Sequence, residues 1–262
     1  MAEFEDRHWT SEDGLRLHYR DYAGPADKAP VICIPGLTRN ARDFENLAAR
    51  LATKRRVLSL DLRGRGDSAY AKDPATYTPL TYVADLQALL DQAGIARFVA
   101  IGTSLGGLVA MLFAAGYADR LAGAVFNDVG PEVSGVGLAR IGGYVGQGRS
   151  FETWMHAARA LQESQGEMFP DFDIADWLTL AKRSMTLGSN GRIVFDYDMK
   201  ISEPLAASAP TSTGAAPPDL WPLWRSLTGR PSSARHNGQR SGGAAPVEVG
   251  EGVASGSEIF MS

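Results

Sequence analysis

Two kinds of hydrophobic pattern alternate along the first half of the chain. Short apolar runs at Val31-Ile32-Cys33-Ile34, Arg56-Val57-Leu58-Ser59-Leu60, Phe98-Val99-Ala100-Ile101 and Leu121–Asn127 read as buried strands. Between them, apolar residues recur every three or four positions, as on one face of a helix. Asp43–Thr53 carries Phe44, Leu47, Ala48 and Leu51 on such a stripe, and Thr81–Ala93 carries Tyr82, Leu86, Leu89 and Leu90. Gly94 closes the second helix in the C-cap role. A third helix runs from Leu105 to about Tyr117. Strands without polar alternation, separated by helices, predict an α/β fold with a mostly parallel sheet flanked by helices. Ahead of this, residues 6–22 predict a β-hairpin around Asp13-Gly14. Leu15, Leu17 and Tyr19 share one face there, and Arg16, His18 and Arg20 the other. This places His8 and His18 at the surface.

The pattern changes after residue 130. Residues 131–200 are amphipathic and helical around Phe151-Glu152-Thr153-Trp154-Met155 and Ile174-Ala175-Asp176-Trp177-Leu178, and add no parallel strand. Residues 1–130 thus read as the sheet core and 131–218 as an inserted helical cap with its return loop. Residues 219–231 read as a core helix, Leu220 to Leu227, and a turn. From 232 to 262 the text is Gly, Ser, Ala, Arg and Pro, with few sizeable aliphatics before Ile259. Such a segment buries too little apolar surface to offset chain entropy. It predicts a disordered or non-native tail, with the last core strands missing. A reading-frame shift in a GC-rich gene would produce this composition; translating the other frames downstream of Pro231 tests that origin.

Composition narrows the class. The chain has 262 residues, 44% of them hydrophobic, and a formal net charge of −4. No clustered basic face suggests a nucleic-acid partner. No run approaches the ~18 apolar residues of a membrane span, and the acidic start lacks a signal-peptide pattern. The expectation is a cytoplasmic protein with a small-molecule substrate, compatible with a homo-oligomer. The single cysteine, Cys33, reads as a buried thiol. Four separated histidines show no metal-ligand spacing, so neither metal nor cofactor is expected.

The chemistry concentrates at Gly102-Thr103-Ser104-Leu105-Gly106. A strand ends, a serine stands between two glycines, and a helix begins. That turn exposes the serine at the carboxyl edge of the sheet. The helix N-terminus behind it offers free N–H groups and a positive dipole end. Ser104 is therefore the candidate nucleophile.

With Ile34-Pro35-Gly36-Leu37 and Asp61-Leu62-Arg63-Gly64-Arg65-Gly66-Asp67-Ser68 upstream, the chain resembles the α/β-hydrolase superfamily. The resemblance is to its capped branch of esterases, lactonases and carbon–carbon hydrolases, and it covers residues 6 to about 228. Pro35 stands where that family often has His. The resemblance implies an oxyanion hole made by the backbone N–H groups of Leu37 and Leu105. In the 61–68 loop, a structural role is expected, with Arg63 pairing Asp67 and Gly64 and Gly66 permitting a tight bend.

The resemblance also implies an acid and then a histidine after the serine. No Asp follows Asp219, and the sole late histidine, His236, stands where a strand is due. Some capped members place the acid at the end of the strand that here closes on Asp128, so Asp128 reads either as the triad acid or as a turn-capping Asp. His156, in the cap, reads as a solvated helix position. Two functions follow. One is a serine-dependent hydrolase of a small, largely apolar ester or lactone, working through an acyl-enzyme. The other is an impaired or inactive relative that binds a ligand, or a frameshifted product, without the triad histidine.

Overall fold

The computed structural model describes residues 3–130, 145–208, 220–222 and 224. The hairpin forms β1 (Glu5–Thr10) and β2 (Arg16–Tyr22), and the apolar runs form β3 (Val31–Ile34), β4 (Val57–Asp61), β5 (Phe98–Thr103) and β6 (Leu121–Asn127). They build a six-stranded sheet in the order β1-β2-β4-β3-β5-β6. The β1–β2 and β2–β4 pairings are antiparallel, and the rest are parallel. Every residue of β3 and β4 is buried, which accounts for their lack of polar alternation.

Helices cover both faces. A 3₁₀ turn, Ala41–Phe44, leads into α1 (Glu45–Ala52), which packs Phe44 and Ala48 on Tyr22, Val31, Cys33 and Val57. The opposite face carries α2 (Pro79–Gln92) and α3 (Leu105–Tyr117). The start of α2 is set by Thr78, whose hydroxyl accepts from the Thr81 N–H, and by Pro79 in the first turn. The Cys33 thiol is buried, as expected, and burial pushes its pKa up.

Residues 150–195 form a second unit with its own core, while Val145, Tyr197, Ile201 and Leu205 around it pack on the core of the sheet domain. It contains β7 (Ser150–Phe151), α4 (Trp154–Gln165), α5 (Ile174–Ser184), β8 (Met185–Leu187) and β9 (Ile193–Phe195), and α6 (Ser202–Ser208) follows it. Trp177 is at its centre, against Ala157, Ala158, Leu161, Ala181 and Met185. The helical reading of this region holds at α4 and α5 but is incomplete. An antiparallel sheet, β7-β9-β8, also forms. Its strands are two or three residues long, too short to show a period of two.

The exit from this unit is fastened to the sheet domain. The Gly66 N–H donates to the Asp196 carbonyl (3.1 Å) and the Asp198 N–H to the Gly64 carbonyl (2.7 Å). The Tyr77 hydroxyl donates to the Asp198 carboxylate at 2.7 Å. Arg42 pairs with Asp196 and donates from Nε to the Arg183 carbonyl at 3.0 Å. Burial pushes the Asp196 pKa up, with Arg42 opposing it.

Among the described residues no helix is long and apolar enough to cross a membrane. Most of the expected 220–227 helix, the tail from 232 with the missing strands, and His236 lie outside the described residues.

Candidate active site

Ser104 occupies the junction between β5 and α3 with φ +50° and ψ −113°. A side chain in that left-handed region is strained and persists only where its surroundings impose it. Here both neighbours impose it. A methyl group at Gly106 would run into the Ile34 carbonyl oxygen, and one at Gly102 would lie 2.5 Å from the Gly106 carbonyl carbon. The strand and helix therefore approach so closely that only glycine fits on either side of the partly buried serine.

Hydrogen bonds fix the same corner. The Ser104 N–H donates to the Asn127 carbonyl at 2.9 Å, and the Gly107 and Leu108 N–H groups donate to the Ser104 carbonyl. As the first residue of α3, Leu105 has no carbonyl within the helix to receive its N–H.

The loop after β3 lies alongside. Gly36 faces Ser104: its notional Cβ stands 3.9 Å from the Ser104 Cβ. The Arg39 N–H donates to the Gly36 carbonyl at 3.2 Å, so Leu37 and Thr38 are the central residues of a turn. Leu37 and Leu105 are both partly buried. The structure thus places Gly36, which opens the Leu37 turn, beside Ser104 and its chain neighbour Leu105.

Asp128 follows directly after β6. Asn127 pairs with Thr103 in the sheet, so Asp128 and Ser104 are the next residues on neighbouring strands. Asp128 is exposed and, like Ser104, has a positive φ of 54°. The two non-glycine residues with left-handed backbone among those described are thus side by side.

Beneath this edge lies a polar network that corrects two expectations. His18 is buried, 1% exposed, rather than at the surface. The period-two reading failed because both faces of β2 are covered: Leu17 and Tyr19 pack in the core, and His18 on the other face lies against Asp61 and Asp6. The His18 Nδ1 lies 2.7 Å from Asp61 and its Nε2 2.9 Å from Asp6. A carboxylate faces each nitrogen, and only the imidazolium can donate to both, so this pairing favours the charged ring. Burial opposes that charge, but the bonds to Asp61 and Asp6 overrule it and raise the His18 pKa above its ordinary 6.5.

Stability drawn from a raised histidine is complete below the unfolded value, about 6.5, and is lost as pH rises through the folded value. His18→Gln is therefore expected to lower the melting temperature more at pH 6 than at pH 9. A melting difference independent of pH would refute the assignment.

Asp61 also accepts from the Ala41 N–H (2.6 Å) and the Asp67 N–H (3.0 Å). His18, Asp61 and Asp67 are close enough to hold a cation, their ligand atoms lying within 4.8 Å of one another. The His18 nitrogens and both Asp61 oxygens already have partners, so the cluster is a closed hydrogen-bond network.

The second correction concerns Arg63. It does not pair with Asp67. It binds Asp85 (2.7 and 2.6 Å) and Asp13 (2.8 and 3.1 Å). Asp85 comes from α2 and Asp13 from the hairpin turn, contacts that local spacing cannot reveal. The expected bend is present, with φ +75° at Gly64 and +53° at Gly66. Arg65, which the sequence did not single out, points inward and donates to the Leu37 carbonyl at 2.8 Å.

The histidines of the described residues are engaged elsewhere. His8 contacts Arg16, His18 its two carboxylates, and His156 Thr153.

The sequence profile of the alpha/beta hydrolase fold matches residues 29–176, which spans β3 to α5. The chain belongs to the alpha/beta hydrolase fold family. The crystal structure of an alpha/beta hydrolase from Novosphingobium aromaticivorans is 66% identical in sequence, with a TM-score of 0.82. The match covers 88% of this chain and 80% of that one. A 3-hydroxybutyrate-oligomer hydrolase of Cupriavidus necator is 29% identical over 82% of this chain and 74% of its own length. An sn-1-specific diacylglycerol lipase of Mus musculus is 36% identical over 45% of this chain, but only 38% of that protein is matched. The relatives of this alpha/beta hydrolase therefore include hydrolases and lipases.

Proposed function

We propose that this alpha/beta hydrolase is a serine-dependent hydrolase of small, largely apolar esters or lactones, acting through an acyl-enzyme. The observation that carries the reading is the strained backbone of Ser104, enforced by Gly102 and Gly106 at the start of α3. Folding forces this conformation only at cost, and such outliers concentrate at functional positions. Similarity to a 3-hydroxybutyrate-oligomer hydrolase and to a diacylglycerol lipase favours an ester bond as the target.

In this mechanism Ser104 Oγ attacks the substrate carbonyl as its proton passes through a general base to the leaving alkoxide. The carbonyl oxygen becomes an oxyanion, whose collapse breaks the ester C–O bond and leaves the acyl-enzyme, which water hydrolyses. The Leu37 and Leu105 N–H groups hold that oxyanion. Each such donor contributes about 3 kcal/mol in the transition state. Backbone donors do not depend on side-chain type, so leucine at both positions is acceptable. Asp128, directly after the neighbouring strand, is the candidate acid of the triad. Trp154, Phe169 and Phe172 pack against the core of the second unit around the buried Trp177, so these rings build that unit rather than line a substrate site.

The second reading is an impaired relative that keeps the pocket without turnover. The engagement of His8, His18 and His156 with other partners favours it. Labelling with a fluorophosphonate followed by peptide mapping separates the two. Modification of the peptide containing Ser104 supports the serine hydrolase. Folded protein that neither labels nor hydrolyses p-nitrophenyl butyrate supports the second reading.

A further inference from the structure

Arg65 is 0% exposed, yet among the described residues no carboxylate lies within ion-pair distance of its guanidinium. Its partners are neutral. Nε donates to the Leu37 carbonyl (2.8 Å), and Nη1 donates to the Arg63 carbonyl (2.6 Å) and the Tyr82 hydroxyl (3.0 Å). The rings of Tyr77 and Tyr82 stand 5.6 and 5.1 Å from its central carbon. Nη2 is buried and has no hydrogen-bond partner among the described residues. Arg63, two residues away, is by contrast neutralised by two aspartates.

An unpaired buried cation is unfavourable for folding alone. Its location supplies a reason for it. The carbonyl it grips belongs to Leu37, the residue to which the serine-hydrolase reading assigns an oxyanion N–H, in the turn whose Gly36 lies beside Ser104. Fixed positive charge in a water-poor site stabilises developing negative charge without reorganisation.

We propose that Arg65 is a positioning residue for the oxyanion site. Its Nε–H sets the orientation of the Leu37 turn, and its unneutralised charge favours the anionic intermediate. The inference rests on the serine-hydrolase reading above.

The test compares the parent protein with Arg65→Met and Arg65→Lys on p-nitrophenyl butyrate. It also measures affinity for a trifluoromethyl ketone, which forms an oxyanion adduct with an active serine, and for the matching amide, which does not. Arg65→Met is expected to lower kcat by about 10²-fold with KM within about threefold, and to weaken the ketone in proportion while the amide is unaffected. Arg65→Lys, which keeps the charge without the fork, is expected to recover part of the loss. If Arg65→Met fails to melt cooperatively, Arg65→Lys carries the test: a kcat and ketone affinity equal to the parent's overturn the proposal. A change confined to KM, or equal weakening of ketone and amide, also overturns it while leaving the hydrolase reading intact. A parent that neither turns over the ester nor binds the ketone overturns both.

Discussion

Ser104→Ala is expected to lower ester turnover by at least ~10⁴-fold while the protein keeps its fold. The change removes one oxygen atom from a partly buried position and leaves β5, α3 and both flanking glycines untouched. Its effect on melting should therefore be small. Ser104→Gly should abolish turnover equally but raise the melting temperature. Glycine adopts φ +50° without strain, whereas a side chain there costs ~1–3 kcal/mol. The pair of variants separates chemistry from folding. Residual activity in Ser104→Ala above about a hundredth of the parent's would exclude Ser104 as nucleophile. A Ser104→Gly protein less stable than the parent would show that the backbone at the corner is not strained.

Arg63→Met is expected to destabilise the protein by about 3–5 kcal/mol, a fall of roughly 6–20 °C in melting temperature. The guanidinium is almost wholly buried, as is Asp85, while Asp13 reaches it from the surface. Burial already pushes the Asp85 carboxyl above its ordinary pKa, and Arg63 is the principal group opposing that shift. Without Arg63 the carboxyl would stay buried and unpaired, or take up a proton. Two consequences can be measured. The deficit of Arg63→Met should narrow as pH falls and Asp85 protonates, and the double variant Arg63→Met/Asp85→Leu should recover part of the loss. A single variant within about 1 kcal/mol of the parent would mean that the cluster contributes little.

The parallel core was legible because its signals are local. Val31–Ile34 and Val57–Asp61 are covered on both faces, so they read as unbroken apolar runs. The Ser104 corner was legible because its two glycines answer steric contacts only a few residues apart in sequence, apart from the Ile34 carbonyl. What was not legible depends on partners far along the chain. His18 is covered on its own face of β2 by Asp6 and by Asp61, 43 residues away. Arg63 and Asp67 are close in sequence, but Asp13 and Asp85 lie nearer in space. The grip of Arg65 on Leu37 joins two loops that meet only because β3 and β4 are neighbours. The short strands β7, β8 and β9 left no periodic trace at all.

The fastening of Asp196 and Asp198 to Gly66 and Gly64 has a consequence for protein engineering. Its two backbone bonds use main-chain groups on both sides, and the side chains that the exit segment adds to it are those of Asp196 and Asp198 themselves, so it does not depend on what precedes residue 196. Residues 196–198 therefore form a natural splice junction. A foreign segment placed between β6 and this junction would arrive at the same register beside the 61–68 loop. The second unit can then be exchanged as a cassette while the Ser104 corner is left as it is.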